Sequence, residues 1–165
     1  MPTMTAPAAT AADLVRHAGE GEAIDFIGVL VTVKIAGEAT GDRFSLAEHW
    51  CPPGFATPLH VHHEEDEAFV ILEGAIAGTC GGHPFRAEAG ATVFLPRDLP
   101  HGFAVAGDQP ARIMVFAAPA GFERFCREVG VPAAAGALPA PPTHSDIERL
   151  LAIAPRFDME LLPPE

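Results

Sequence analysis

The stretch GFATPLHVHHEEDEAFVILEG, residues 54–74, carries the deciding pattern. Side chains on a strand point alternately to opposite faces, so Glu67, Phe69 and Ile71 share one face and Ala68, Val70 and Leu72 the other. His60-Val61-His62 has the same period, which puts two imidazoles on one face. Two imidazoles so placed, beside Glu64-Glu65-Asp66-Glu67, can reach a single cation. A lone histidine on an apolar face is ordinarily a hydrogen-bonded core residue, and a run of acids is ordinarily a solvated turn. That ordinary reading is kept for Glu64, Glu65 and Asp66. Glu67 stands at the mouth of its strand and is read as turning inward. His101 follows the turn bracketed by Pro96 and Pro100, opens another strand, and is expected at the same mouth.

Outward from this stretch, short strand signals recur at 24–35, 43–51, 75–80, 91–95, 102–106 and 112–117. Gly37, Gly41-Asp42, Pro52-Pro53-Gly54, Glu73-Gly74, Gly81-Gly82, Gly90 and Gly107-Asp108 punctuate them. Short strands at this spacing predict an all-β antiparallel sandwich or barrel rather than alternating β and α units. Cys80-Gly81-Gly82-His83 reads as a tight hairpin. After Pro119 the period changes. Phe122, Phe125, Cys126 and Val129 make a helical stripe stopped by Gly130. A Pro/Ala/Gly-rich connector follows, and then a second helix with Ser145 and Glu148 as a capping box and Pro155 at its end. Both helices are read as packing elements. The organisation is a flexible segment 1–22, a β domain 23–118 and a helical extension 119–165 packed on it.

Composition bounds the function. The chain has 165 residues, 10 Lys+Arg against 22 Asp+Glu, a net charge of −12, and 48% apolar residues. That is one domain with a sizeable core. An acidic surface gains no counterion release from phosphate, so nucleic acid and anionic membranes are not expected partners. Three cysteines without a CxxC pair argue against a disulfide framework or a thiolate zinc site. Residues 1–12 carry no signal-peptide pattern, and the longest apolar run falls short of the ~20 residues of a membrane span. A cytoplasmic protein is expected.

These residues carry a resemblance. Gly54-x5-His60-x-His62-x4-Glu67-x6-Gly74 is similar to the first cupin motif at every position, and Gly90-x5-Pro96 followed by His101 resembles the second. Asp98 stands where the family usually has Gly, and Val105 where it often has Asn. The resemblance spans about 23–118 and implies a double-stranded β-helix, the jelly-roll barrel, with the C-terminal helices outside it. It implies that His60, His62, Glu67 and His101 are metal ligands for one divalent transition ion, with Fe, Mn, Co, Ni, Cu and Zn not distinguished by donor type. The string from His62 to Gly74 resembles small single-domain bacterial cupins related to quercetin 2,3-dioxygenase, whose ligand glutamate doubles as base. Glu67 is therefore the candidate catalytic residue.

The remaining inward candidates are apolar, and Phe44, Trp50, Phe69, Phe103 and Phe116 are taken as the substrate pocket. Leu46, Ile71 and Phe94 are further inward candidates. An apolar barrel with a metal at its mouth suits a flat or aromatic ligand. The expected function is a dioxygenase acting with O₂ on a flavonol-like or other enolisable small molecule. The alternatives are a redox-neutral isomerase, cyclase or lyase using the metal as Lewis acid, and a non-catalytic small-molecule-binding cupin. A homodimer paired through edge strands is expected, since burying an edge avoids open-ended association.

Overall fold

Period-2 burial sets the strands, and glycine-bearing turns separate them. The computed structural model describes residues 14–163. Its elements run β1 (Glu22–Phe26), β2 (Val29–Ile35), the one-turn α1 (Gly37–Thr40), β3 (Ser45–Cys51), β4 (His60–His62), β5 (Asp66–Glu73) and β6 (Ala75–Cys80). Then follow β7 (His83–Glu88), β8 (Thr92–Leu95), β9 (His101–Val105), β10 (Ala111–Ala118), α2 (Phe122–Val129), β11 (Val131–Pro132), α3 (His144–Ile153), a 3₁₀ turn (Ala154–Phe157) and β12 (Met159–Leu161). The strands form two antiparallel sheets, β11-β1-β2-β3-β10-β5-β8 and β12-β4-β9-β6-β7. The all-β architecture with C-terminal helices is the one the strand pattern predicts.

The inner faces of the two sheets meet in one core. Val31, Ala47, Ile71 and Ile113 come from the large sheet, and Ile76, Phe103 and Val105 from the small one. A second, smaller cluster joins Phe125 and Val129 of α2, Leu150 of α3, Ala154 and Met159. The C-terminal segment is thus tied to the barrel by its own apolar contacts, and β12 pairs with β4, Met159 opposite His62 and Leu161 opposite His60. Gly74 ends β5 with φ +72°, and a Cβ there would press on the carbonyl oxygen of Pro110, so the turn needs glycine. Asp98 also adopts a left-handed φ of 64°, which Asp tolerates better than most residues.

Several sequence expectations are corrected. The 24–35 run is two strands, not one, with Phe26 opposite Val29 across the turn Ile27-Gly28. Ile27 has φ 50° and Gly28 φ 83°. A β-branched residue rarely adopts positive φ, which is why the turn is hidden in the sequence. The second helix is capped by Thr143, not Ser145, with Asp146 rather than Glu148 as the reciprocal acceptor. Residues 1–13 of the segment read as flexible lie outside the described residues. Cys51, Cys80 and Cys126 are free thiols. Among the described residues no helix is long and apolar enough to cross a membrane.

Candidate metal centre

Backbone pairing brings the chemistry together. His60 on β4 sits opposite His101 at the start of β9. His62 follows on the same face of β4, and Glu67 reaches in from β5 of the facing sheet. One donor atom from each of His60, His62, Glu67 and His101 lies within 4.8 Å of all the others. The Nε2 atoms of His62 and His101 are each 3.3 Å from Oε2 of Glu67. His62, Glu67 and His101 are buried, while His60 is half-buried at the mouth.

Each imidazole is oriented from behind. Nδ1 of His60 meets Pro58 O at 2.8 Å, Nδ1 of His62 meets Glu65 Oε1 at 2.9 Å, and Nδ1 of His101 meets Leu99 O at 3.0 Å. These partners are acceptors, so each Nδ1 carries the proton and donates, and the ring's Nε2 keeps its lone pair. The Nε2 atoms of His62 and His101 are buried without a hydrogen-bond partner. An orphaned buried polar atom costs about 1–3 kcal/mol. Two such nitrogens facing one carboxylate are donor types that could hold a metal ion, and a cation would satisfy both.

The electrostatics agree. Burial would raise the Glu67 carboxyl, but the neighbouring His62, His101 and His60 outweigh it and bring it down to about 2. Burial would likewise lower His62, but Glu67 and Glu65 raise it. At His60, burial and then the His101 and His62 charges lower the ring to about 4. The carboxylate is therefore ionised and ready as a ligand, and a metal would compete with protons for the imidazoles.

Two residues of this neighbourhood depart from the sequence reading. Glu65 is not in a solvated turn: it is buried and fixes the His62 ring. Asp66 stays at the surface as read, bound by Arg97 through the backbone N at 2.9 Å and the guanidinium at 2.9 and 3.2 Å. His49, absent from the candidate residues, is buried on the inner face of β3 with its Nε2 unpartnered.

The pocket residues divide. Phe69 and Phe103 are buried and line a cavity of about 60 Å³ with His49, His60, His62 and Glu67. Phe44, Trp50 and Phe116 are not brought to it. On β3 the inward residues are Ser45, Ala47, His49 and Cys51, and the larger Leu46 and Trp50 point the other way. On β10 the buried positions are Ala111, Ile113, Val115 and Ala117, which leaves Phe116 outside, its ring stacked on Phe44 at 5.4 Å. Phe94 is exposed. Size misleads here: the space beside Phe69 and Phe103 takes small inward residues, and the large ones cover the outer face.

A second cavity of about 350 Å³ adjoins the first. Phe26, Phe55, Thr57, His60 and Phe122 line both. Its outer wall is Ile147, Leu150 and Leu151 of α3 with Leu161 of β12. The C-terminal helices, expected only to pack, thus border a chamber against the mouth of the cluster.

A family model described as a cupin domain matches residues 51–117. Quercetin 2,3-dioxygenase of Bacillus subtilis (strain 168) is 33% identical over 87 residues, 53% of this chain and 26% of that protein. An uncharacterized protein of Methanocaldococcus jannaschii is 35% identical over 74 residues, 45% of this chain and 59% of that protein. The chain therefore spans about a quarter of the first of these curated relatives and under two thirds of the second. Among solved structures, one described as a predicted oxalate decarboxylase from Thermotoga maritima aligns with a TM-score of 0.58 at 21% identity, over 64% of this chain and 98% of that one. KdgF from Halomonas sp. aligns with a TM-score of 0.52 at 16% identity, over 59% of this chain and 84% of that one. At these identities the structural likeness speaks to the fold.

Proposed function

We propose, on the premise that the match of a cupin-domain model to residues 51–117 reflects kinship, that the chain is a metal-dependent enzyme, a dioxygenase of a flavonol-like or other enolisable small molecule. The observation that carries the metal is the pair of buried, unpartnered Nε2 atoms converging on Glu67. His60, His62, Glu67 and His101 would hold the ion. Bound there, a divalent transition ion would supply Lewis acidity toward a substrate hydroxyl. The chain's residues supply the rest. Glu65, Pro58 O and Leu99 O keep the three rings aimed. Glu67, ionised and inside the cluster, is the carboxylate that accepts a proton from an entering hydroxyl. The apolar walls exclude water. The sequence similarity to a quercetin dioxygenase points to the substrate class.

The test is metal analysis of protein purified without added metal, followed by quercetin turnover in air and under nitrogen. Stoichiometric metal and O₂ uptake with quercetin are expected, and Glu67→Ala should lose both. Turnover under nitrogen would replace the dioxygenase with a redox-neutral reaction. Metal without any product would leave a binding protein.

We further propose that two copies pair through the outer face at β8, the end strand of the large sheet. Phe94 is 63% exposed there, and Ala68 and Phe116 continue the same cross-strand row. An open edge beside exposed aromatics is a surface that a second copy would cover. Sedimentation should give a dimer, converted to monomer by Phe94→Lys; a monomeric native protein would refute the pairing.

A further inference from the structure

His49 is the buried histidine that the cluster leaves unused. It is 7% exposed, and its Nε2 has no hydrogen-bond partner. Its ring stacks on Phe122, centroids 5.7 Å apart. It lines the small cavity with His60, His62 and Glu67, yet stands outside the four residues whose donor atoms converge. The strand does not require it: Ala47 and Cys51, its neighbours on the same inner face, are buried without such a group. A polar atom left unpaired in an apolar wall is a cost that leucine would not carry. Among the described residues no group satisfies that nitrogen, which leaves it available to a ligand.

The adjoining chamber says what kind of molecule brings it. At about 350 Å³ it is the size of a small-molecule site. Among the described residues no Asp, Glu, Lys or Arg lines it, and His60, at the junction, is the one titratable residue there. An anionic body would be desolvated there without a partner. The small cavity, about 60 Å³, holds a head group and not a whole ligand.

We propose that His49 is a substrate-binding residue: an uncharged, largely apolar molecule lays its body in the chamber against α3 and β12, and its hydroxyl or enol head enters the small cavity and hydrogen-bonds to Nε2 of His49. This deepens the reading of the cavity as the substrate end of a metal site and does not depend on what the reaction is. Burial lowers the His49 ring to about 4, so it meets the head group neutral.

The test titrates quercetin, and flavone as its hydroxyl-free counterpart, into cobalt-loaded protein. His49→Leu should weaken quercetin binding at least about fivefold. His49→Gln, which keeps a polar atom near the Nε2 position, should restore most of it, and flavone affinity should not change. Cobalt content should be native in both variants, and the Tm of His49→Leu equal to or above the native value. His49→Leu protein that binds quercetin like the native chain would overturn the proposal, as would loss of metal or lowered Tm in that variant. Native protein that binds neither compound would overturn it too. Native protein that binds quercetin through His49 without consuming O₂ would defeat the dioxygenase reading alone.

Discussion

The barrel mouth and the C-terminal chamber share a wall and differ in nearly everything else. The mouth is small, sets three imidazoles and a carboxylate among apolar walls, and takes those four groups from β4, β5 and β9. The chamber is several times larger, apolar, and walled on one side by α3 and β12. All four cluster residues fall inside the matched cupin segment, whereas α2, α3 and β12 lie beyond its end. Under the proposed function the contrast separates two tasks: the barrel would supply the donors, and the C-terminal extension would shape what reaches them. The regions are nonetheless coupled through backbone. His63 N donates to Asp158 O at 3.0 Å and Leu162 N to Leu59 O at 2.9 Å, so β12 is zipped along the strand that carries two of the imidazoles.

The largest effect should follow from breaking the barrel side. His101→Ala removes one of two buried nitrogens facing Glu67 and should abolish stoichiometric metal binding, read by elemental analysis. Glu67→Leu should do the same but leave the Tm of metal-free protein unchanged or higher, because a buried charge with imperfect partners is often replaced by hydrocarbon at no loss. A Tm collapse in metal-free Glu67→Leu would make the cluster a fold determinant instead of a site. One step back, Glu65→Ala frees the His62 ring and should weaken metal binding about 10- to 100-fold, as loss of an orienting partner does. Glu65→Gln keeps an acceptor for Nδ1 and should recover part of it.

A change on the chamber side should leave metal alone. Ile147 lines the chamber from α3 and is partly exposed, so Ile147→Glu can be made without opening the core. It puts an unpaired charge against an apolar ligand and should weaken quercetin binding about tenfold, or about 1.4 kcal/mol, with cobalt content unchanged. Equal loss of metal would merge the two regions into one site.

What the sequence exposes follows the same division. The barrel is legible because its turns are written in glycine and its strands in period 2. Within it, the imidazole pair is legible because His60-Val61-His62 repeats that period beside Glu67. The β3 face is not legible: Phe44, Leu46 and Trp50 outrank Ser45, Ala47, His49 and Cys51 in hydrophobicity, so apolarity selects the wrong side and hides His49. Glu65 is hidden for another reason. It reaches back to His62 across a turn, three residues away, where strand parity says nothing. The chamber is the least legible part, since β12 is three residues long and its partner strand is almost a hundred positions earlier.

The smallest effect is expected at the cap of α3, where the comparison is most easily sharpened. Thr143 Oγ1 accepts from Asp146 N at 3.3 Å, Asp146 Oδ2 accepts from Thr143 N at 2.8 Å, and Arg149 donates to Asp146 Oδ1 at 2.7 Å. The Thr143 hydroxyl and amide, with Arg149, hold the Asp146 carboxyl below its ordinary value. A carboxyl lowered in the folded state contributes fully above its unfolded pKa, and the contribution disappears as pH falls through the folded one. Fraying of α3 should therefore begin on the acid side of the ordinary aspartate range, and Asp146→Asn should flatten that dependence. Thr143→Ala should cost about 1 kcal/mol of helix stability. Because α3 is a wall and not a ligand-bearing element, quercetin affinity should fall by at most about fivefold and cobalt content should not move. If loosening this one turn released the metal, the zipper of β12 along β4 would have to carry strain from the chamber to the imidazoles, and the assignment of chemistry to one region and selection to the other would fail.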